Sequence, residues 1–248
     1  MKIIIQNLAT EYQDEGVGPV MLFLHGWQDS LRTFDSLVPL LSSVRIIRLD
    51  LPGFGGTEAS KEDWDVGHYV KFVADFIQKL DIQVDVLVGH SFGGRIIIKG
   101  LATKQLQANR AILIASAGVS KNKKLRNIIL KIIAKAGGAI AYLPPLSFWR
   151  EKIRGKIYSK FSGDYMNSGL LKGTFLKIIS EDLSSSAENV DCPVLLIWGA
   201  DDIDTPPADG KLLSKLISGS ELKVINDADH MVHHEKPQEV AQLIREFL

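Results

Sequence analysis

Several things are scarce in this sequence, and each shortage excludes something. It holds one cysteine, Cys192, in 248 residues. An internal disulfide is therefore impossible, and cysteine-based zinc sites go with it; the composition suits a reducing compartment. Net charge is absent, since 29 Lys+Arg balance 29 Asp+Glu, which speaks against a generally basic nucleic-acid binder and against an acidic disordered chain. No run reaches the roughly 18 unbroken apolar residues of a membrane span. The start, Met1-Lys2-Ile3-Ile4-Ile5-Gln6-Asn7, turns polar too early for the apolar core of a secretory signal, so a cytoplasmic location is expected. Internal repeats and low-complexity tracts are missing as well. What remains, 46% hydrophobic and 23% charged residues, is the balance of a globular chain long enough for one sizeable core.

Short β-branched runs alternate with longer stretches of helical period, the pattern of an α/β fold with a mostly parallel sheet flanked by helices. Candidate strands are Lys2–Ile5, Val20–Leu24, Val44–Leu49, Val84–Val88, Ala111–Ile114, Val194–Trp198 and Leu222–Ile225. Most are apolar throughout, as strands covered on both faces must be. Val66, Tyr69, Val70, Val73, Phe76, Ile77 and Leu80 recur at helical spacing. Further helices are expected over Gly93–Leu101 and Pro237–Phe247, the last with proline in its first turn.

Between Val119 and Glu181 the strand rhythm stops. A helical cap inserted over residues 119–181 is expected, with residues 1–118 and 182–248 forming the core domain. Residues 119–179 carry thirteen Lys/Arg against Glu151 and Asp164, a balance of +11 that leaves −11 for the rest. Within it, Lys121 to Lys135 reads as a basic amphipathic helix, with Leu125, Ile128, Ile129, Ile132 and Ile133 on one face. Its lysines can simply face water; they could also meet an anionic surface or an acidic carrier protein. The cap's aromatics, Tyr142, Phe148, Trp149, Tyr158, Phe161, Tyr165 and Phe175, serve equally as the cap's own core or as the walls of an acyl pocket.

The strongest chemical signal is Val84-Asp85-Val86-Leu87-Val88-Gly89-His90-Ser91-Phe92-Gly93-Gly94. A strand runs into Gly-x-Ser-x-Gly and then into a helix. A serine at such a turn sits in a strained conformation that lifts its hydroxyl clear of the sheet, and the flanking glycines let strand and helix approach. The helix N-terminus aims N–H groups at a developing anion. A serine hydroxyl needs a base, and the base an orienting acid. Two late strands end in suitable loops, Gly199-Ala200-Asp201-Asp202-Ile203-Asp204-Thr205-Pro206 and Asn226-Asp227-Ala228-Asp229-His230.

With these residues the chain resembles the α/β-hydrolase superfamily over nearly its whole length. The family pattern Gly-x-x-Asp-x-x-x-Pro, met by Gly199, Asp202 and Pro206, implies Asp202 as the acid and leaves Asp201 and Asp204 as solvated turn residues. His230 stands where the family places its base. The resemblance assigns His25-Gly26-Trp27 to the oxyanion loop, the N–H groups of Trp27 and Phe92 holding the oxyanion. Asp50-Leu51-Pro52-Gly53-Phe54-Gly55-Gly56-Thr57 is similar to the family's Asp-x-x-Gly-x-Gly-x-Ser loop, with Thr57 in place of serine.

The implied activity is hydrolysis of a carboxylic ester through an acyl-enzyme on Ser91. The same triad could serve a carbon–carbon, thioester or amide bond. Trp27 and the Leu-Pro-Gly-Phe-Gly loop also look like the pimeloyl-carrier-protein methyl esterases, which often have Trp where this chain has His90. A binding protein with an idle pocket is the reading from another class, and a complete set of Ser91, Asp202, His230 and oxyanion loop weighs against it. Haloalkane dehalogenases and epoxide hydrolases need a carboxylate nucleophile. The remaining histidines read as scaffolding: His25 and His90 in loops, His68 near a helix start. His230-x-x-His233-His234-Glu235 contains neither His-Glu-x-x-His nor His-x-x-Glu-His, and Gly53 to Gly56 lacks the Gly-Lys-Ser/Thr of a phosphate loop. No metal and no cofactor is expected.

Overall fold

The computed structural model describes residues 1–119 and 169–248. Eight strands form one sheet: β1 (Lys2–Ile5), β2 (Leu8–Gly16), β3 (Val20–Leu24), β4 (Arg45–Leu49), β5 (Val86–His90), β6 (Arg110–Ile114), β7 (Val194–Gly199) and β8 (Ser220–Ile225), in the spatial order β1-β2-β4-β3-β5-β6-β7-β8. β2 pairs antiparallel with both β1 and β4. From β4 to β8 every neighbouring pair is parallel. The described α-helices are α1 (Val66–Leu80), α2 (Phe92–Ala102), α3 (Lys172–Ser180), α4 (Ser184–Ala187), α5 (Pro207–Leu216), α6 (Val232–Glu235) and α7 (Pro237–Phe247), with short 3-10 turns at Leu31–Phe34, Val38–Leu40 and Gly169–Leu171. The expected α/β architecture is the one observed.

The central strands alternate their side chains between two apolar layers, as the two-residue repeat of a pleated strand requires. Leu22, Leu24, Leu87, Leu113 and Leu196 join one layer with Val70, Phe76, Ile97 and Trp198. Met21, Phe23, Val86, Val88, Ile112 and Ile197 join the other with Phe34, Leu37, Val240 and Ile244. Both faces are buried, which is why these strands read as continuous apolar runs. β2 escaped the sequence reading for the opposite reason. Leu-Ala-Thr-Glu-Tyr-Gln-Asp-Glu-Gly is mostly polar, and every residue of it except the fully buried Thr10 keeps some exposure.

α1 begins at a capping box, where the Asp65 carboxylate accepts the His68 N–H at 3.0 Å and the His68 ring reaches back to the Asp65 N–H. α7 carries proline in its first turn as expected. Most of the proposed cap, including the basic stretch Lys121 to Lys135 and every cap aromatic except Phe175, lies outside the described residues. Its described end, α3, is tied to the core by the Trp64 N–H donating to Thr174 Oγ1 at 2.9 Å and by the Arg95 guanidinium donating to the carbonyls of Ile178 and Glu181. Among the described residues no helix is long and apolar enough to cross a membrane.

Candidate active site

Because β3, β5, β7 and β8 run parallel, their C-terminal ends share one rim of the sheet, the edge where open α/β sheets bind ligands. The loops that leave these ends carry Trp27, Ser91, Asp202 and His230. Ser91 closes the turn between β5 and α2 with φ 48° and ψ −106°, a conformation costly for a residue with a side chain and kept only where its surroundings enforce it. Here the Ser91 N–H donates to the Ile114 carbonyl at 3.0 Å, and its carbonyl accepts from Gly94 and Ala117 at 3.1 Å each. The glycines are a matter of space. A Cβ at Gly93 would stand 2.1 Å from the Leu24 carbonyl oxygen, and one at Gly89 2.7 Å from the Gly93–Gly94 peptide.

The structure brings Asp202 and His230 together and leaves Asp201 and Asp204 exposed. Asp202 Oδ1 accepts the N–H groups of Asp204 and Thr205 at 2.8 and 2.9 Å. Oδ2 accepts from His230 Nδ1 at 2.9 Å and lies 2.8 Å from Thr205 Oγ1. The carboxylate is fully buried. With Nδ1 donating to it, His230 holds its lone pair on Nε2, the form a general base needs. Burial alone would lower the His230 pKa, but the hydrogen bond and charge of Asp202, with Asp204 and Asp229 beyond it, leave it raised above 6.5.

Ser91 and His230 line one cavity of about 280 Å³, with Trp27, Phe92, Phe175 and Ile178 among its walls. Among the described residues no hydrogen bond joins the Ser91 hydroxyl to the imidazole, and such contacts commonly tighten only when substrate is bound. The backbone N–H groups of Trp27 and Phe92 donate to no acceptor among the described residues.

Three other histidines, His25, His90 and His233, support this rim. His25, buried, accepts the Leu51 N–H at Nε2 (2.9 Å), so its proton sits on Nδ1, which bonds the Gly26 carbonyl at 2.7 Å. It fastens the loop before Trp27 to the loop after β4. In that second loop Asp50 accepts the N–H groups of Leu31 and Gly56 at 2.6 and 2.7 Å. Thr57 Oγ1 accepts from the Glu11 N–H at 2.9 Å, a bond that needs only the hydroxyl that threonine shares with serine. His90 Nε2 donates to the His230 carbonyl at 3.1 Å. His233, which the sequence marks only as part of a run without a metal-site motif, is fully buried, pairs with Thr33 Oγ1 at 3.0 Å and packs on His90 with ring centroids 4.5 Å apart. Its partner is 200 residues away in sequence, so no local pattern announces it. Among the described residues no group of three or more His, Cys, Asp or Glu side chains is placed to hold a metal ion.

Burial drives His90 well below 6.5 and His233 to about 3, with neighbouring imidazoles adding to the effect. Both stay neutral when folded, whereas the unfolded chain takes up protons once the pH drops below about 6.5. Their contribution to stability is therefore complete above that pH and lost progressively below it, by up to about 1.4 kcal/mol per pH unit for each. His230, whose pKa is raised, works in the opposite sense and offsets part of this. The thermal midpoint is expected to fall between pH 7 and 5, above the range where carboxylates titrate, and to fall less in His233→Gln. A flat melting profile over that interval would contradict the assignment of two neutral buried imidazoles.

A sequence model of the alpha/beta hydrolase family matches residues 21–243. The chain belongs to that family. Relatives within reach of sequence comparison are distant. The uncharacterized hydrolase YugF of Bacillus subtilis is 25% identical over 252 residues, covering 96% of this chain and 92% of that protein. The human monoacylglycerol lipase ABHD6 is 25% identical over 259 residues, covering 94% of this chain and 76% of that protein. Among solved structures, the enol-lactonase of Burkholderia xenovorans LB400 superposes with a TM-score of 0.76 at 20% identity, covering all of this chain and 99% of that one; it is similar in fold. For this alpha/beta hydrolase, family membership supports hydrolase chemistry on a small molecule, and the rim geometry must carry anything finer.

Proposed function

We propose that the protein is a serine hydrolase that cleaves a carboxylic ester through an acyl-enzyme. Ser91 attacks the carbonyl carbon, and His230 Nε2 takes the hydroxyl proton and hands it to the leaving alcohol. Water, activated by the same imidazole, then releases the acid. Asp202 holds the imidazole in the tautomer that makes this work, and the N–H groups of Trp27 and Phe92 receive the oxyanion. The observation that carries this reading is the 2.9 Å bond from His230 Nδ1 to buried Asp202, on a histidine that shares its cavity with a serine held at positive φ. The walls formed by Trp27, Phe92, Phe175 and Ile178 suit an apolar acyl chain, and the lipase among the relatives supports an oxygen ester as the bond cleaved. In this reading residues 119–181 are the cap that roofs the pocket.

A fluorophosphonate reacts only with an activated serine, so incubation of the folded protein should yield one modified peptide containing Ser91. A properly folded protein that resists the reagent would remove the basis for the proposal. A series of aryl esters of increasing acyl length then measures the depth of the pocket. Because the His230 pKa is raised, kcat/KM should decline on the acid side around a pH above the 6.5 of an unperturbed imidazole. An acid limb centred below 6.5 would contradict the Asp202–His230 pairing.

A further inference from the structure

Thr205 is buried, and its hydroxyl touches both members of the Asp202–His230 pair. Its Oγ1 lies 2.8 Å from Asp202 Oδ2, 3.2 Å from His230 Nδ1 and 3.0 Å from the Ala115 carbonyl oxygen. The side chain is well anchored for such a task. The Thr205 N–H is spent on Asp202 Oδ1 at 2.9 Å, and its carbonyl accepts from Nε1 of fully buried Trp198 at 2.8 Å.

A hydroxyl has one proton and two lone pairs. His230 Nδ1 already carries the hydrogen it gives to Asp202, so toward the ring Thr205 can only accept. Its proton is left for Asp202 Oδ2 or for Ala115. The carboxylate is the nearer of the two and the charged one, and charge-assisted bonds are the stronger. Oδ1 is already held by two main-chain donors. Thr205 thus completes a frame of four donors that fixes the rotation of the carboxylate about its Cβ–Cγ bond.

We infer that Thr205 is a positioning residue: its hydroxyl locks the plane of the Asp202 carboxylate and shares the Nδ1–H of His230, so that Nε2 is presented toward the cavity. The inference rests on the proposed roles of Ser91, His230 and Asp202. Nothing in the sequence marks this threonine beyond its place three residues after Asp202, where a turn-former would read the same.

Thr205→Val preserves the shape and removes the hydroxyl, while Thr205→Ser preserves the hydroxyl. For an aryl ester, kcat of T205V should fall roughly ten- to a hundredfold, the loss typical of one hydrogen bond to a charged group. KM should stay within about twofold, because the substrate does not touch the missing atom. T205S should remain within about threefold of the unmodified protein on the same grounds. In proton NMR the far-downfield resonance of the His230 Nδ1–H should persist in the unmodified protein and T205S, and should broaden by faster exchange in T205V. A folded T205V with undiminished kcat and an unchanged resonance would reduce the hydroxyl to a tie between Ala115 and its loop and overturn the inference. A folded T205S as impaired as T205V overturns it too. If T205V does not fold, T205A takes its place with the same expected and opposing results. A protein inert to fluorophosphonate would undo the proposed ester chemistry, and the resonance would still decide the role of Thr205 by itself.

Discussion

Replacing Ser91 with alanine is expected to lower kcat toward an aryl ester by on the order of 10⁵- to 10⁶-fold, with the thermal midpoint nearly unchanged. The two halves of this expectation have separate causes. The activity loss follows from the proposed role of Ser91, which among the described residues shares one cavity with His230, Trp27 and Phe92. The stability is spared because the strained turn is held by main-chain bonds to Ile114, Gly94 and Ala117, all of which alanine retains, and because both side chains carry the same Cβ. Steady-state kinetics and a melting curve on the same preparation check both. An alanine variant that keeps more than about a hundredth of the rate would show that another nucleophile is at work.

Asp202→Asn should cost about 10⁴-fold in kcat, the scale seen when a triad acid is replaced by its amide. The structure explains why so small a change does so much. Two main-chain N–H groups, from Asp204 and Thr205, point at Oδ1; an asparagine must therefore turn its oxygen to them and its NH₂ toward His230. The imidazole then has to accept at Nδ1, its proton moves to Nε2, and the base loses the lone pair that would receive the serine proton. Asp201→Asn and Asp204→Asn, on exposed side chains, should stay within about threefold. Measuring the three variants side by side discriminates among the aspartates, and equal losses at all three would refute the assignment.

Parts of this arrangement were written locally, and parts were not. β3, β5, β6 and β7 were legible because each is covered on both faces and so is apolar at nearly every position. β2 was not, because much of its surface meets water. The turn around Ser91 could be found because its requirements, a serine between glycines with a strand before and a helix after, fall within a dozen consecutive residues. His230 could be placed by following a late strand to its end. Choosing among Asp201, Asp202 and Asp204 required the family spacing, since the deciding donors are main-chain groups that every residue possesses. Thr205, His90 and His233 do their work through partners far along the chain or through single hydrogen bonds, and neither periodicity nor composition records such contacts.

The way Arg95 holds α3 bears on how the cavity can vary. Its guanidinium grips the carbonyl oxygens of Ile178 and Glu181, atoms that belong to the peptide and not to any particular side chain. A different residue at position 178 would therefore reshape the wall of the pocket without unfastening it from the helix that begins beside Ser91. On the proposed reading, selectivity for the acyl group would drift at that wall while Ser91, Asp202 and His230 keep their places.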